Sequence, residues 1–175
     1  MAAARTGHSF LILFLIGWLA IPQTGHADGR LPKEAHADKV RVLKSKRTLE
    51  LIDHDKILKK YKIALGSQPV GKKEHQGDHK TPEGFYFIDH RNERSQFYRS
   101  FHISYPNAED RVRAKRAGAA PRGDIMIHGL PNGYPWIGSR HRLRDWTDGC
   151  IAVSNEEIDE IWRAVADGTP IEIKP

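Results

Sequence analysis

Apolar and polar residues alternate in short runs along the first third of the chain. Val40-Arg41-Val42 and Leu49-Glu50-Leu51 put every second side chain on one face, the period of a half-buried strand. Ser45-Lys46-Arg47 reads as the turn between them, and Asp53-His54-Asp55 as the next. Residues 57–65 follow, with Tyr61, Ile63 and Leu65 on a common face, so the pattern predicts a three-stranded meander. A fourth strand is predicted over residues 85–88. Phe101, Ile103 and Tyr105, alternating with His102 and Ser104, predict a fifth. Residues 124–127 make a short strand ending on His128, and Ile171 with Ile173 close the chain as the last strand. The period changes once. Ser154 and Glu157 form a capping box, and Ile158, Ile161, Trp162 and Val165 then mark one face of a helix that Gly168 stops. No strand–helix–strand alternation precedes it, which excludes a doubly wound parallel sheet. The expected fold is mainly β, an antiparallel sandwich or half-open barrel with one helix in its C-terminal region. Residues 91–123, crowded with Arg, Lys, Asn and Gly, read as a long surface excursion of the kind that forms lids.

The first residues follow a different logic. Arg5 and His8 precede an apolar stretch over residues 10–21, Pro22 breaks it, and Gly25-His26-Ala27 offers a small-x-small cleavage site. Residues 1–27 are therefore predicted to be a cleaved export signal and residues 28–38 a short linker. Residues 39–174 then form one domain. The apolar stretch is too short to cross a bilayer comfortably, so no stable membrane span is expected after processing.

Lys and Arg number 28 against 22 Asp and Glu, a formal charge of +6. The basic residues are scattered among acids, which argues against a dedicated nucleic-acid binder. Cys150 is the only cysteine, so neither an intrachain disulfide nor a Cys-based zinc cluster can form. His75 and His79 stand four apart, but the intervening Gln-Gly-Asp reads as a loop and not as a helical metal-binding pair. No metal site is expected at this pair.

An odd cysteine in an oxidising compartment pairs with another chain, stays inert in the core, or does chemistry. Cys150 follows Gly149 on a tight turn into an apolar strand, while His128 and Gly129 close the strand before it. A free thiol is only a few per cent thiolate at neutral pH, and an imidazole able to take its proton makes it a usable nucleophile. Gly149 lets a carbonyl approach the backbone, where the amides of Gly149 and Cys150 could stabilise an oxyanion. His141, nearer in sequence, is the competing base, although Arg140, Arg142 and Arg144 around it suggest a solvated loop. Tyr134, Trp136 and Trp146 are packing residues or, where exposed, platforms for a sugar or peptide face.

His128-Gly129, then eighteen residues, then Thr147-x-Gly149-Cys150 resembles the signature of the L,D-transpeptidase catalytic domain (YkuD-like). Thr81-Pro82-Glu83-Gly84 leading into a strand, the opening meander and the closing Gly168-Thr169-Pro170-Ile171 are similar to that family as well. The resemblance implies that Cys150 attacks the amide after a diaminopimelate-type residue in a peptidoglycan stem peptide, giving a thioester. His128 would be the base, Gly129 would help orient it, and Gly149 would belong to the oxyanion hole. An amine acceptor would complete transpeptidation in the periplasm or cell envelope, and the resemblance implies no metal or organic cofactor. Two positions depart from the family: Ala152 stands where many members carry Arg or Asn, and Asp148 where many carry His. The first leaves the substrate carboxylate without its usual holder, for which Arg140, Arg142 or the basic residues 111–116 are candidates. Thr81 and Trp146 complete the candidate substrate contacts. The second places a negative charge near the thiol. Hydrolysis of the link between peptidoglycan and an envelope lipoprotein is the alternative activity, and a catalytically silent peptidoglycan-binding module is the alternative of another class.

Overall fold

The computed structural model describes residues 29–120 and 123–175; the predicted export signal lies outside them. The meander forms as the alternation demands: β1 (Lys39–Leu43), β2 (Thr48–Asp53) and β3 (Lys56–Lys62) pair antiparallel in order. Five further strands follow: β4 (Gly84–Ser95), β5 (Tyr98–Ile103), β6 (Ile125–His128), β7 (Ile151–Ala152) and β8 (Pro170–Lys174). All eight belong to one sheet in the order β3-β2-β1-β8-β4-β5-β6-β7. Five of its seven pairings are antiparallel, and β1–β8 and β6–β7 are parallel. The sheet curls until its two ends meet. Ala64, just beyond β3, exchanges hydrogen bonds of 3.0 and 2.9 Å with Ala152 in β7, and Gly66 bridges Thr147. This is the expected half-open barrel in mixed form, and the meeting point of its ends is where Cys150 lies.

The concave side is filled by Leu49, Leu51, Tyr61, Ile63, Tyr86, Phe101 and Ile127, all essentially inaccessible. Each contributes about 1.5–3 kcal/mol by leaving water. Helix α2 (Asn155–Ala164) follows β7 and packs near β5, with the Trp162 ring 5.0 Å from Phe101. Its capping box is made by Ser154 and Glu157, as the spacing requires, and Ile158 and Ile161 are fully buried. The helix spans Asn155–Ala164 and ends before Gly168. Val165 turns extended and bridges Ala37, whose N–H donates to the Ala164 carbonyl at 2.8 Å, so a long-range partner ends the helix earlier than the glycine would.

Residues 91–123 depart from the expected excursion. They hold the polar end of β4, all of β5, and a helix α1 (Ala108–Arg116). Helix α1 has almost no apolar stripe and stands on its cap, in which Asn107 and Asp110 exchange side-chain bonds with each other's backbone. Asp110, 3% exposed, also accepts from the Tyr86 hydroxyl at 2.9 Å, which fastens the helix to the sheet. Among the described residues no helix is long and apolar enough to cross a membrane.

Candidate active site

The turn carrying Cys150 is built from backbone. Thr147 accepts from the Gly149 N–H at 3.2 Å and donates to the Cys150 carbonyl at 2.7 Å, closing a tight loop. Gly149 adopts φ +125°, and a Cβ there would stand 2.6 Å from the Lys80 carbonyl oxygen. Gly66 closes from another side: its Cβ would meet the His79 carbonyl oxygen at 2.2 Å and the Gly149 Cα at 3.0 Å. Three backbones therefore converge at distances that only glycine permits. Asp145 locks the approach to the turn. Its carboxylate accepts from the Arg47 guanidinium at 2.7 Å and from the Leu65 N–H at 2.9 Å.

His128 ends β6, which runs parallel to β7 with His128 opposite Ala152. Cys150 immediately precedes β7, two positions before Ala152. The ring of His128 is 2% exposed and lies 4.4 Å from the Phe97 ring and 5.7 Å from that of Trp146. Its Nδ1 is 2.7 Å from the Gly129 carbonyl oxygen. A carbonyl only accepts, so Nδ1 carries the proton and Nε2 keeps its lone pair. Gly129 has a packing reason of its own, since a Cβ would stand 2.8 Å from Asn155 Oδ1, which accepts from the Leu130 N–H.

The His128 imidazole and the Cys150 thiol both rest neutral. Burial holds the His128 imidazole at a pKa of about 4, with the nearby His141 adding to the shift. Burial raises the Cys150 thiol, Asp148 and Asp124 push it further the same way, and a backbone bond from Met126 opposes them. The Sγ donates weakly to the Asp124 carbonyl at 3.8 Å and makes no hydrogen bond to His128. Cys150 is partly buried, with a share of its surface open.

Gly149 and Cys150 precede β7 while His128 and Gly129 close the adjacent β6, and the Trp146 ring lies 5.7 Å from that of His128. Thr81 is not a surface residue. It is fully buried, and its hydroxyl accepts from the Gly66 N–H at 3.1 Å, so it supports the turn from behind and cannot touch substrate there. The amide of Gly149 is already bonded to Thr147, which leaves that of Cys150 as the free member of the expected oxyanion pair. Arg142 is tied to Glu157 of α2 at 2.5 Å, whereas Arg140 is exposed. Both lie in or beside a 3-10 segment, Pro135–Leu143, that crosses from β6 toward β7. His141, expected in a solvated loop, is buried at 6% exposure. His75 and His79 hold separate partners: His75 Nδ1 is 2.9 Å from the Gln76 carbonyl, and His79 Nδ1 is 2.8 Å from Asp148. Gly66, Phe97, Asp145 and Asn155 shape the site without a sequence signal, because each acts through a partner far along the chain.

Comparison with known proteins adds the family. Residues 37–173 match the L,D-transpeptidase catalytic domain, YkuD. YafK of Escherichia coli (strain K12), provisionally named an L,D-transpeptidase, is 32% identical over 133 residues, which cover 72% of this chain and 46% of YafK. The helical cell shape determining protein Pgp2 of Campylobacter jejuni is similar in structure, with a TM-score of 0.58 and 27% identity over 78% of this chain and 46% of Pgp2. Bd1075 of Bdellovibrio bacteriovorus is similar at a TM-score of 0.54 and 25% identity, covering 83% of this chain and 50% of Bd1075. The chain thus spans about half the length of these relatives.

Proposed function

The chain belongs to the L,D-transpeptidase catalytic domain family, and on that premise we propose that it is an envelope acyltransferase acting on peptidoglycan stem peptides, with Cys150 as nucleophile and His128 as base. The observation that carries this reading is the parallel β6–β7 register. It sets the end of β6, where His128 keeps a lone pair on Nε2, beside the strand that the partly open Cys150 immediately precedes, which supports the pairing.

The chemistry follows from the neutral pair. Rotation of the thiol away from Asp124 directs its proton to His128 Nε2 as Sγ attacks the amide carbonyl carbon. The tetrahedral oxyanion takes the Cys150 N–H, and the C–N bond then breaks. The imidazolium returns its proton to the leaving amine, leaving a thioester on Sγ. An acceptor amine attacks that thioester, gives its proton to Nε2, and regenerates the thiol. Water in place of the amine gives hydrolysis by the same atoms. The thioester retains the acyl activation, so no nucleotide is needed for transfer outside the cytoplasm.

Incubation with a carbapenem, read by intact mass, is expected to give one covalent adduct that Cys150→Ala abolishes. Muropeptides supplied with and without an amine acceptor should yield a new cross-linked species only with the acceptor. Absence of the adduct, under conditions that label an exposed thiol, would exclude the acyl-enzyme. Loss of cross-links with no new linkage would assign a hydrolase.

A further inference from the structure

His79 and Asp148 form a second imidazole–carboxylate pair, beside the nucleophile turn and outside the chemistry assigned to Cys150 and His128. Asp148 stands two positions before Cys150, and His79 Nδ1 lies 2.8 Å from its Oδ1. A carboxylate only accepts, so Nδ1 donates and Nε2 of the neutral ring keeps a lone pair. Among the described residues that Nε2 has no partner, and the His79 side chain is 47% exposed. The loop beneath it is fixed. Asp78 forms a buried ion pair with Lys73 at 2.7 Å and accepts from the N–H groups of Glu74, His75 and Lys80 at 2.7, 3.1 and 3.1 Å. His79 itself sits at φ +53°, a left-handed conformation uncommon for a residue with a side chain. Its carbonyl accepts from the Gln68 N–H at 3.0 Å and closes on Gly66, while the next carbonyl, of Lys80, closes on Gly149. A strained backbone, a buried ion pair and two glycine contacts thus hold one accessible imidazole against the turn that carries Cys150.

The second half-reaction has two protons to place. An alkyl amine acceptor arrives as an ammonium, and only about one in 2,500 is uncharged at pH 7. It must lose one proton before its nitrogen can attack and another as the amide forms. His128 Nε2 accounts for the later one. The approach to the thiol suits a cation, since Asp148 and Asp124 are both exposed and both act on Cys150 through their negative charge.

We infer that the His79–Asp148 pair is the acceptor's own base: Asp148 draws the ammonium in, and His79 Nε2 takes its first proton. The inference rests on the acyltransferase reading. The freed nitrogen lone pair attacks the thioester carbonyl carbon, the C–N bond forms and the C–S bond breaks. The second nitrogen proton passes through His128 Nε2 to Sγ and restores the thiol, and His79 gives the first to bulk water. Asp148 keeps Nδ1 bonded throughout, which holds the ring in place and stabilises the imidazolium while it lasts. His128 serves the thiol, and His79 serves the acceptor.

The test compares two small acceptors on the full-length protein with a muropeptide donor at neutral pH. Methylamine is an ammonium there, whereas hydroxylamine, of nearly the same size, is uncharged and needs no first deprotonation. Mass spectrometry of the two products gives the ratio of their rates. His79→Asn tolerates the left-handed backbone and can still bond Asp148, but it cannot take a proton. It is expected to cut the methylamine-to-hydroxylamine ratio by at least about tenfold, as for loss of a general base. Asp148→Asn should lower the same ratio through a higher KM for methylamine. A native ratio in His79→Asn overturns the assignment. Equal losses with both acceptors overturn it too, because they would make His79 a prop for the turn. Carbapenem acylation, which involves no acceptor, is read separately by intact mass. An acyl-enzyme with a native ratio in the variant refutes the acceptor base alone, and a wild type that forms no acyl-enzyme refutes the acyltransferase reading itself.

Discussion

The two sides of Trp146 are built on opposite principles. Toward Cys150 the backbone is fixed: Gly66, Lys80 and Gly149 touch at distances no Cβ would survive, and Thr147 and Asp145 bond the turn and its approach. Toward His141, buried donors stand without partners and Leu143 is 85% exposed. A nucleophile needs its geometry before substrate arrives, because reorganisation during reaction raises the barrier. The contrast sets a backbone-fixed turn and a side with unpartnered polar atoms on either side of one indole ring. Substitutions on the two sides should therefore fail in different observables.

The sharpest break lies at the reacting atoms. Cys150→Ala should abolish turnover in the muropeptide assay while circular dichroism and Tm stay unchanged. His128→Gln should lower the rate by about 10²- to 10⁴-fold, the range for loss of a general base. A His128→Gln protein with native rates would remove the imidazole from the mechanism and leave His141 as the base.

Next in size are the packing effects, which should be confined to the nucleophile side. Gly149→Ala meets both φ +125° and the Lys80 carbonyl, and should cost about 3 kcal/mol in urea unfolding. Leu143→Ala across the ring should change stability by less than about 0.5 kcal/mol, because its side chain is already in water. Equal losses from both would erase the distinction.

Acid sharpens it further. An ordinary histidine takes up its proton near pH 6.5 when unfolded, but folded His128 resists until about 4. As pH falls through this window the unfolded chain binds a proton that the folded one excludes, so stability drops. The drop should reach about 3 kcal/mol relative to a His128→Asn variant, measured as the difference in unfolding free energy between pH 7 and pH 4. Above pH 6.5 the two proteins should differ by a constant amount. A wild type that gains stability over the variant on acidification would mean that His128 is charged in the fold.

Local signals told much of this in advance. The meander, the capped α2 and the strand ending on His128 are written in periods of two and 3.6 and in a four-residue cap. The Cys150–His128 candidate pair came from types and spacing, and its environment did not. Thr81 was a candidate substrate contact from the family-like Thr-Pro-x-Gly turn, yet its hydroxyl serves Gly66, fifteen residues away. His141 looked solvated because arginines flank it, but the 3-10 segment turns it inward while Arg140 stays outside. Helix α1 was hidden because a cap and a buried Asp–Tyr bond hold it, and neither leaves an apolar stripe. What periodicity cannot convey is which distant backbone a residue will meet.

The smallest expected effect tests how far the fixed side tunes its own thiol. Asp148 follows Thr147 on the turn and is 89% exposed, with His79 Nδ1 donating to it at 2.8 Å. Its charge raises the Cys150 pKa, behind burial as the first cause and against the Met126 backbone bond. Asp148→Asn removes the charge and keeps an oxygen that can accept from His79, so the turn should hold its shape. The thiolate fraction at pH 7 should rise, and iodoacetamide labelling should quicken by about two- to threefold. Exposure to water screens the carboxylate, which is why the gain is small, and 0.5 M salt should shrink it in the wild type as well. A variant that labels more slowly would mean that Asp148 acts by holding His79 over the cleft and not by its charge. The nucleophile turn would then depend on a side-chain pair as well as on its backbone.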